Sequence, residues 1–399
     1  MKQKRGFLNY VAVLSVFLFS GAGTFMNAAI QTMIEAWPQL SATTVRMVVS
    51  VPPLVSLPVM LFIGSVVGKK ISYRACSILG TLFIAVGGVG PYFFYSSWGV
   101  VLAFRALLGV GVGFIGMRNA LVTGSVPPEK AAAYIGYGAV LYNLGNVLAN
   151  PIVGALSAKG WRFSFLYDAI AFIPLILIIL FLKEPDAAEE APKAEEAQAK
   201  TEVKAADNKK VGWRIYYYML LQFLTCCTLY PLLACMATYI NAKELGSAAI
   251  AGTILSSYTL AGAIVNMVIG PLQKTFKRYT ISVLCLFVAA GEAIIIYMPS
   301  IPTLFAGCVL AGIGFSAVIT IFQIYNGQEA PSGKAAFTST LILAMLQLAI
   351  FASNYFIVGC HAIFQRATDA ESSFVGGMIV YIIMAVASAV LKVQPDAEA

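Results

Sequence analysis

Charges set inside long hydrophobic runs are the residues of this sequence most able to do chemistry. Arg105 stands in VVLAFRALLGVGVGF, about seven residues into such a run at the rise of a helix. An arginine inside a membrane span is costly, so it faces a cavity, pairs with an acid or bonds backbone carbonyls. The first two would make it a solute anchor or the partner of a proton-carrying site; the third would be structural. Arg118 follows on the same run, roughly 20 Å along a helix and turned to another face. There it could snorkel to the interface, and Arg46 reads the same way. Asp168 and Glu292 are acids inside apolar runs, and Glu35 follows the first run. A membrane-buried carboxylate is the usual proton carrier, with structural pairing as the alternative. The only histidine, His361, has no nucleophile or acid motif around it. No cysteine pair has metal-ligand spacing, so the seven cysteines read as small packing residues. Neither an enzyme nor a cofactor or metal site is expected.

The elements that carry these charges follow from hydropathy. The chain has 399 residues, of which 59% are hydrophobic and 11% charged, and its mean hydropathy is +0.83. Apolar runs of about 20 residues recur throughout, each long enough to cross a hydrocarbon core. The short alternating segments of a β-barrel are missing. Spans are predicted at 7–30, 42–67, 75–95, 98–123, 131–157 and 163–182, then at 215–241, 247–272, 279–298, 301–327, 334–360 and 373–391. The start, MKQKRGFLNYVAVLSVFLF, reads as the first helix and not as a cleaved signal, for want of a cleavage site. The expected fold is an all-α membrane protein of twelve transmembrane helices in two pseudo-symmetric six-helix bundles. The bundles would be 1–182 and 214–399, joined by a charged linker over 183–213. That linker carries eight acids and six lysines over 183–210, is rich in alanine and cannot bury a core.

Lysine and arginine fall at alternate span ends. One side receives Lys2, Lys4, Arg5, Lys69, Lys70, Arg74, Lys130, the linker, Arg214, Lys274, Lys277, Arg278, Lys334 and Lys392. The other receives Lys159, Arg162, Lys243 and Arg366. The positive-inside rule makes the first side cytoplasmic, with both termini on it, in a bacterial cytoplasmic membrane. The same rule accounts for the net charge of +8 without nucleic acid. The halves also repeat each other: GSVVGKKISYR is echoed by GPLQKTFKR, and GVGVGF by GIGF. Duplicated halves are a common plan of secondary transporters. In an apolar span with no preceding strand, GVGVG reads as helix packing and not as a dinucleotide loop.

These motifs resemble the major facilitator superfamily, nearest to its drug- and sugar-efflux members. GSVVGKKISYR is similar to the superfamily's loop signature through Gly64, Lys69 and Arg74, although its acidic position is Gly68 and a later glycine is Ser72. Arg105, Gly109 and Gly111 resemble the Arg-x-x-x-Gly-x-Gly signature. Gly160, Trp161, Arg162 and Phe165 resemble the efflux members. Asn150-Pro151-x-x-Gly154-Ala155 resembles a degraded antiporter signature.

The resemblance implies a central site lined by the first, fourth, seventh and tenth helices. It would place Arg105, Asn27, Gln31, Gln222, Tyr230, Gln323 and Asn326 on the solute, with Thr225, Tyr325, Asn143 and Asn146 as further polar positions. Asp168, Arg118, Lys69 and Arg74 would serve coupling or gating. The implied function is secondary active transport of a small organic solute by alternating access. It leans to an organic anion, because the fourth span carries two arginines and the cavity helices carry no central acid, and it would be coupled to a proton or counter-substrate gradient. A drug or sugar efflux antiporter is the second reading, and a non-transporting membrane sensor the third. The expected partners are the solute and the lipid bilayer, with the chain acting as a monomer and binding no nucleic acid.

Overall fold

The computed structural model describes residues 6–68, 70–185, 212–329 and 335–391. Lys69, Lys2, Lys4, Arg5, Lys334, Lys392 and the linker stretch 186–211 lie outside the described residues. Among those described, every regular element is helical, apart from an isolated bridge between Val67 and Ile71. Among the described residues, eleven helical stretches are long and apolar enough to cross a membrane. The chain divides into two compact units, Met1–Gln198 and Ala199–Ala399.

The first unit holds α1 (Phe7–Ser15), α2 (Ile30–Ala36), α3 (Ala42–Val66), α4 (Tyr73–Phe93), α5 (Trp98–Phe114), α6 (Arg118–Ser125), α7 (Pro128–Ser157) and α8 (Phe172–Phe181). Helix starts follow local chemistry. Ser41, Ser72 and Ser97 each accept a hydrogen bond from a backbone N–H of their own first turn, at Thr44, Ala75 and Val100. Such caps satisfy donors that a helix start leaves open. Helix α5 passes into α6 through one 3₁₀ turn (Ile115–Met117), and an eleven-residue 3₁₀ stretch, Trp161–Ala171, leads into α8.

The expected continuous span over 7–30 is corrected here. After α1 the backbone turns through residues 16–21 and forms a 3₁₀ helix over Ala22–Ala29 before α2 begins. Its hydrogen bonds shift to the tighter i→i−3 pattern, as from Ser20 N to Phe17 O and from Ala22 N to Phe19 O. Glycine permits the change through close approach. A Cβ at Gly21 would meet Asn146 Nδ2 of α7 at 2.8 Å, and one at Gly23 would meet Pro52 of α3 at 3.2 Å. The apolar pattern of 7–30 carries no trace of this break, because its cause lies in the neighbouring helices.

The second unit holds α9 (Trp213–Ala242), α10 (Ala248–Met267), α11 (Ile269–Phe276), α12 (Thr280–Tyr297), α13 (Ile301–Glu329), α14 (Ala335–Phe364) and α15 (Asp369–Val390). Helix α13 packs between α10 and α12, while α15 packs on α9 and α12. Salt bridges close both ends of the unit. Arg214 at the start of α9 holds Glu329 at the end of α13 (2.7 Å), and Lys243 after α9 pairs with Glu371 at the start of α15. All seven cysteines are buried as free thiols.

Candidate functional site

The site of the first unit is built around prolines. Pro52 and Pro53 interrupt α3, and a proline has no N–H to give the carbonyl four residues earlier. For Pro52 that carbonyl is Val48's, and Arg105 Nε of α5 donates to it at 2.9 Å. The same guanidinium reaches into the break of the first span. Nη2 donates to the Gly23 carbonyl at 2.8 Å and to Ala22 at 3.2 Å. Nη1 meets Asp168 Oδ2 at 3.4 Å, and both side chains are 0% exposed. Arg105 therefore gathers carbonyls that a proline and a 3₁₀ segment leave exposed, together with one carboxylate. A buried guanidinium needs this number of acceptors, and its planar fork suits it to them.

Asp168 enters this pair because glycine makes room for it. Its Cβ and carboxylate lie where a side chain at Gly88 of α4 would stand. Its second oxygen, Oδ1, is buried with no hydrogen-bond partner. Gly109 performs the corresponding service for Arg105's own helix, packing directly on the backbone of Pro52. The pair thus knits α3, α4, α5, the 161–171 stretch and the broken first span.

The other sequence-predicted residues fall into separate groups. Asn27 is buried in the 3₁₀ segment with Oδ1 unpartnered. Gln31 donates to Glu35 at 2.7 Å, and its Oε1 is buried without a partner. Asn146 donates to the Tyr142 carbonyl at 2.8 Å beside Gly21, and Asn143 lies half-buried on the same helix. Arg118 is half-buried with its guanidinium over the Phe17 ring, 5.5 Å from the centroid, and Arg46 is buried on α3.

In the second unit Gln222 and Thr225 of α9 are buried, with Oε1 and Oγ1 unpartnered. Tyr230 is half-buried on the same helix. Asn326 and Tyr325 of α13 are buried, whereas Gln323 is exposed. His361 lies near Asp369 (3.4 Å) and Ser372 (3.4 Å) at a span end.

The loop between α3 and α4 shows what sequence reasoning missed. Gly68 has φ of +74°, a conformation that favours glycine, and the Tyr73 ring packs over it. No acid stands in that turn. Instead Glu184, just past α8, accepts from the N–H groups of Tyr73 (2.7 Å) and Arg74 (2.9 Å) at the start of α4. Arg74 Nη2 donates to the Ile179 carbonyl at 2.8 Å, and Lys183 N to Asn9 Oδ1 at 2.8 Å. A carboxylate on helix N-terminal donors is favoured by both hydrogen bonding and the helix dipole. The signal was present in the sequence as an acid directly after an apolar span, but nothing linked it to residue 73.

The 160–165 run builds an aromatic cluster. Trp161 meets Trp37 (5.9 Å between centroids), Trp98 (6.3 Å), Tyr95 (6.1 Å) and Phe165 (6.1 Å), and Arg162 lies 4.2 Å over Tyr95. Gly160 turns the chain into it at φ +130°.

The sequence matches the family model of the Major Facilitator Superfamily over residues 11–354 and again over 219–398. The chain belongs to the Major Facilitator Superfamily. It is a multi-pass membrane protein of that superfamily.

Solved structures of this superfamily type share its fold. A bacterial homologue of the human lysosomal transporter Spinster superposes with a TM-score of 0.72 at 15% identity, covering 98% of each chain. The nucleoside transporter NupG gives 0.75 at 12% identity over 96% of this chain and 99% of the other. The peptide transporter POT bound to alafosfalin gives 0.70 at 13%, over 97% and 96%.

Curated relatives match over shorter stretches. A glucose/galactose transporter of Brucella abortus biovar 1 (strain 9-941) is 30% identical over 155 residues, which are 35% of this chain and 36% of that protein. Sugar transport protein 10 of Arabidopsis thaliana is 26% identical over 153 residues, 37% of this chain and 30% of that one. The matches thus span about a third of the length of these relatives.

Proposed function

We propose that this superfamily transporter is a secondary carrier of a small, neutral, polyhydroxylated solute of the hexose class. It exposes its site alternately to the two membrane faces, drawing on an ion or counter-solute gradient. The observation that carries this reading is the occupancy of Arg105. Three carbonyls and Asp168 take four of its five N–H donors and the side chain is fully buried, so it is poorly placed to receive a carboxylate solute. That removes the main support for an organic anion.

The unmet polar atoms of the spans include amide and hydroxyl groups. Asn27 Oδ1, Gln31 Oε1, Gln222 Oε1 and Thr225 Oγ1 are buried atoms without partners. Sugar hydroxyls both donate and accept, and amides offer both functions on one group. The likeness to two sugar transporters, partial as it is, points the same way. We take the broken stretch 7–36 as the twelfth crossing, since 30 residues at helical rise exceed the roughly 30 Å hydrocarbon core. The charged span ends favour both termini on the cytoplasmic side.

The test is a solute screen on the purified full-length protein. Thermal protection and vesicle counterflow are measured with D-galactose, D-glucose, small carboxylates and lipophilic cations. Protection and counterflow with a hexose are expected. A response confined to carboxylates would restore the anion reading, and one confined to lipophilic cations would favour drug export.

A further inference from the structure

The two units carry the same helix register with one exchange of residues. In the first, Gly87 of α4 faces Phe104 O and Leu108 N of α5. In the second, Gly291 of α12 faces Gly307 O and Ala311 N of α13. The register thus equates Gly87 with Gly291, Phe104 with Gly307 and Leu108 with Ala311. One residue on, Gly88 corresponds to Glu292, and Arg105 corresponds to Cys308. In the first unit the glycine is on α4 and its partner, Asp168, comes from the stretch that leads into α8. In the second unit the acid is on α12, and its glycine, Gly377, is on α15. The seam is used twice with acid and glycine interchanged, and Cys308 stands where the first unit has its arginine.

Glu292 is consequently left alone with its charge. It is 0% exposed, and neither Oε1 nor Oε2 has a hydrogen-bond partner. A Cβ at Gly377 would stand 2.6 Å from Oε1 and 3.0 Å from Oε2, with the Thr228 carbonyl of α9 at 3.0 Å from the same point. That fit leaves no room for the ring of oxygens a metal cation requires. A proton needs no such shell.

The surroundings offer no other counter-charge among the described residues. Tyr381 of α15 and Cys360 of α14 face Glu292, and Cys285 of α12 and Cys226 of α9 lie beside Tyr381. Tyr381 is committed as a donor to the Thr225 carbonyl at 2.7 Å. Glu371, the nearest charge along α15, lies roughly 9 Å away by helix rise and is paired with Lys243. Lys274, Lys277 and Arg278 precede α12 at its opposite end. An ionised carboxylate in a membrane span with neither donor nor cation is untenable.

We propose that Glu292 is a proton-binding site of the second unit, loaded in this conformation and emptied when the packing of α9, α12 and α15 changes. Its placement ties it to solute binding. Thr225 and Thr228 lie on the helix that carries Gln222, and Tyr381 bridges from the Glu292 seam to Thr225. Proton loading would thus bias the helix that presents the amide to solute. This second step rests on the sugar reading above; the proton site itself does not.

The experiment separates the two. Infrared spectra of the full-length protein in lipid vesicles at neutral pH are compared for wild type, Glu292→Gln and Asp168→Asn. Glu292→Gln should lose a carbonyl band of a protonated carboxylic acid that Asp168→Asn retains, and the band should be indifferent to replacing choline chloride with sodium chloride. Identical wild-type and Glu292→Gln spectra would overturn the proposal, as would a band abolished by sodium. In vesicles holding a pH-sensitive dye, an imposed D-galactose gradient should move protons in wild type. Glu292→Gln should reduce that signal at least tenfold while galactose counterflow stays within about twofold. Unchanged proton movement in Glu292→Gln would overturn the coupling role. If wild type shows the band but no galactose counterflow, the proton site stands and the sugar reading falls.

Discussion

Arg105 Nε donates at 2.9 Å to the Val48 carbonyl, the one acceptor that Pro52 cannot serve. The arginine is therefore part of the backbone accounting of α3 as well as a charge. Removing it leaves Val48, Ala22, Gly23 and Asp168 facing a void. Breaking a buried pair by deleting one partner typically costs about 3–5 kcal/mol. Arg105→Ala should lower the midpoint of thermal unfolding in detergent more than any other single change in the first unit. Arg105→Lys should recover little, because one ammonium cannot span acceptors on three elements. Asp168→Asn should cost clearly less than Arg105→Ala, since it keeps an acceptor near Nη1. Equal losses from Arg105→Ala and Asp168→Asn would show that the ion pair outweighs the carbonyls.

The glycine–acid seams make a second prediction. A methyl at Gly377 would press on both Glu292 oxygens and on the Thr228 carbonyl. Overpacking of this kind costs typically about 1–3 kcal/mol. Glu292→Ala removes the obstruction, so Gly377→Ala should be milder in that background. A double-mutant cycle on unfolding midpoints should give a coupling of about 1 kcal/mol or more. Strict additivity would mean that the backbone, not the carboxylate, is the obstacle.

Glu184 supplies the third. Its carboxylate accepts from two N–H groups at the start of α4, where Ser72 already caps Ala75. Loss of such a cap costs about 0.5–2 kcal/mol. Glu184→Ala should lower stability by that order, and Glu184→Gln by less, since an amide oxygen keeps one acceptor. Hydrogen exchange at Tyr73 and Arg74 would report the effect locally. Unchanged exchange there would show that the contact holds nothing.

What could be read from the sequence divides along a physical line. Helices such as Ala42–Val66, Thr280–Tyr297 and Ile301–Glu329 fall close to their expected limits. Their apolar runs and the Ser41, Ser72 and Ser97 caps are local signals. The break after Ser15 was not legible, because it needs Asn146 and Pro52 to pack on Gly21 and Gly23. Arg105 was legible as a costly charge with three possible fates. That it meets both carbonyls and an acid depends on Asp168, 63 residues on, entering beside Gly88. Pro52 was the overlooked clue, since the carbonyl it strands could have been named from spacing alone. Glu184 and Tyr73 lie 111 residues apart, and no periodicity relates them.

The last prediction concerns Gln222. It is buried on α9 with its Nε2 turned toward Cys226 Sγ at 3.6 Å, a weak acceptor, and with Oε1 unpartnered. A structural amide would be expected to have better partners in a span, since unmet polar groups there are costly. An amide kept for a solute hydroxyl fits the observation. Gln222→Ala should therefore raise the KM for hexose counterflow by about 5–150-fold, the equivalent of about 1–3 kcal/mol for a lost buried hydrogen bond. Its effect on thermal stability should be small, because it ends no strong contact in the resting protein. Gln222→Glu should keep the acceptor but place a charge in the span, impairing transport more at high pH than at low. If Gln222→Ala instead lowers stability and leaves KM untouched, the amide belongs to the packing of α9, and Asn27 and Gln31 become the residues to vary.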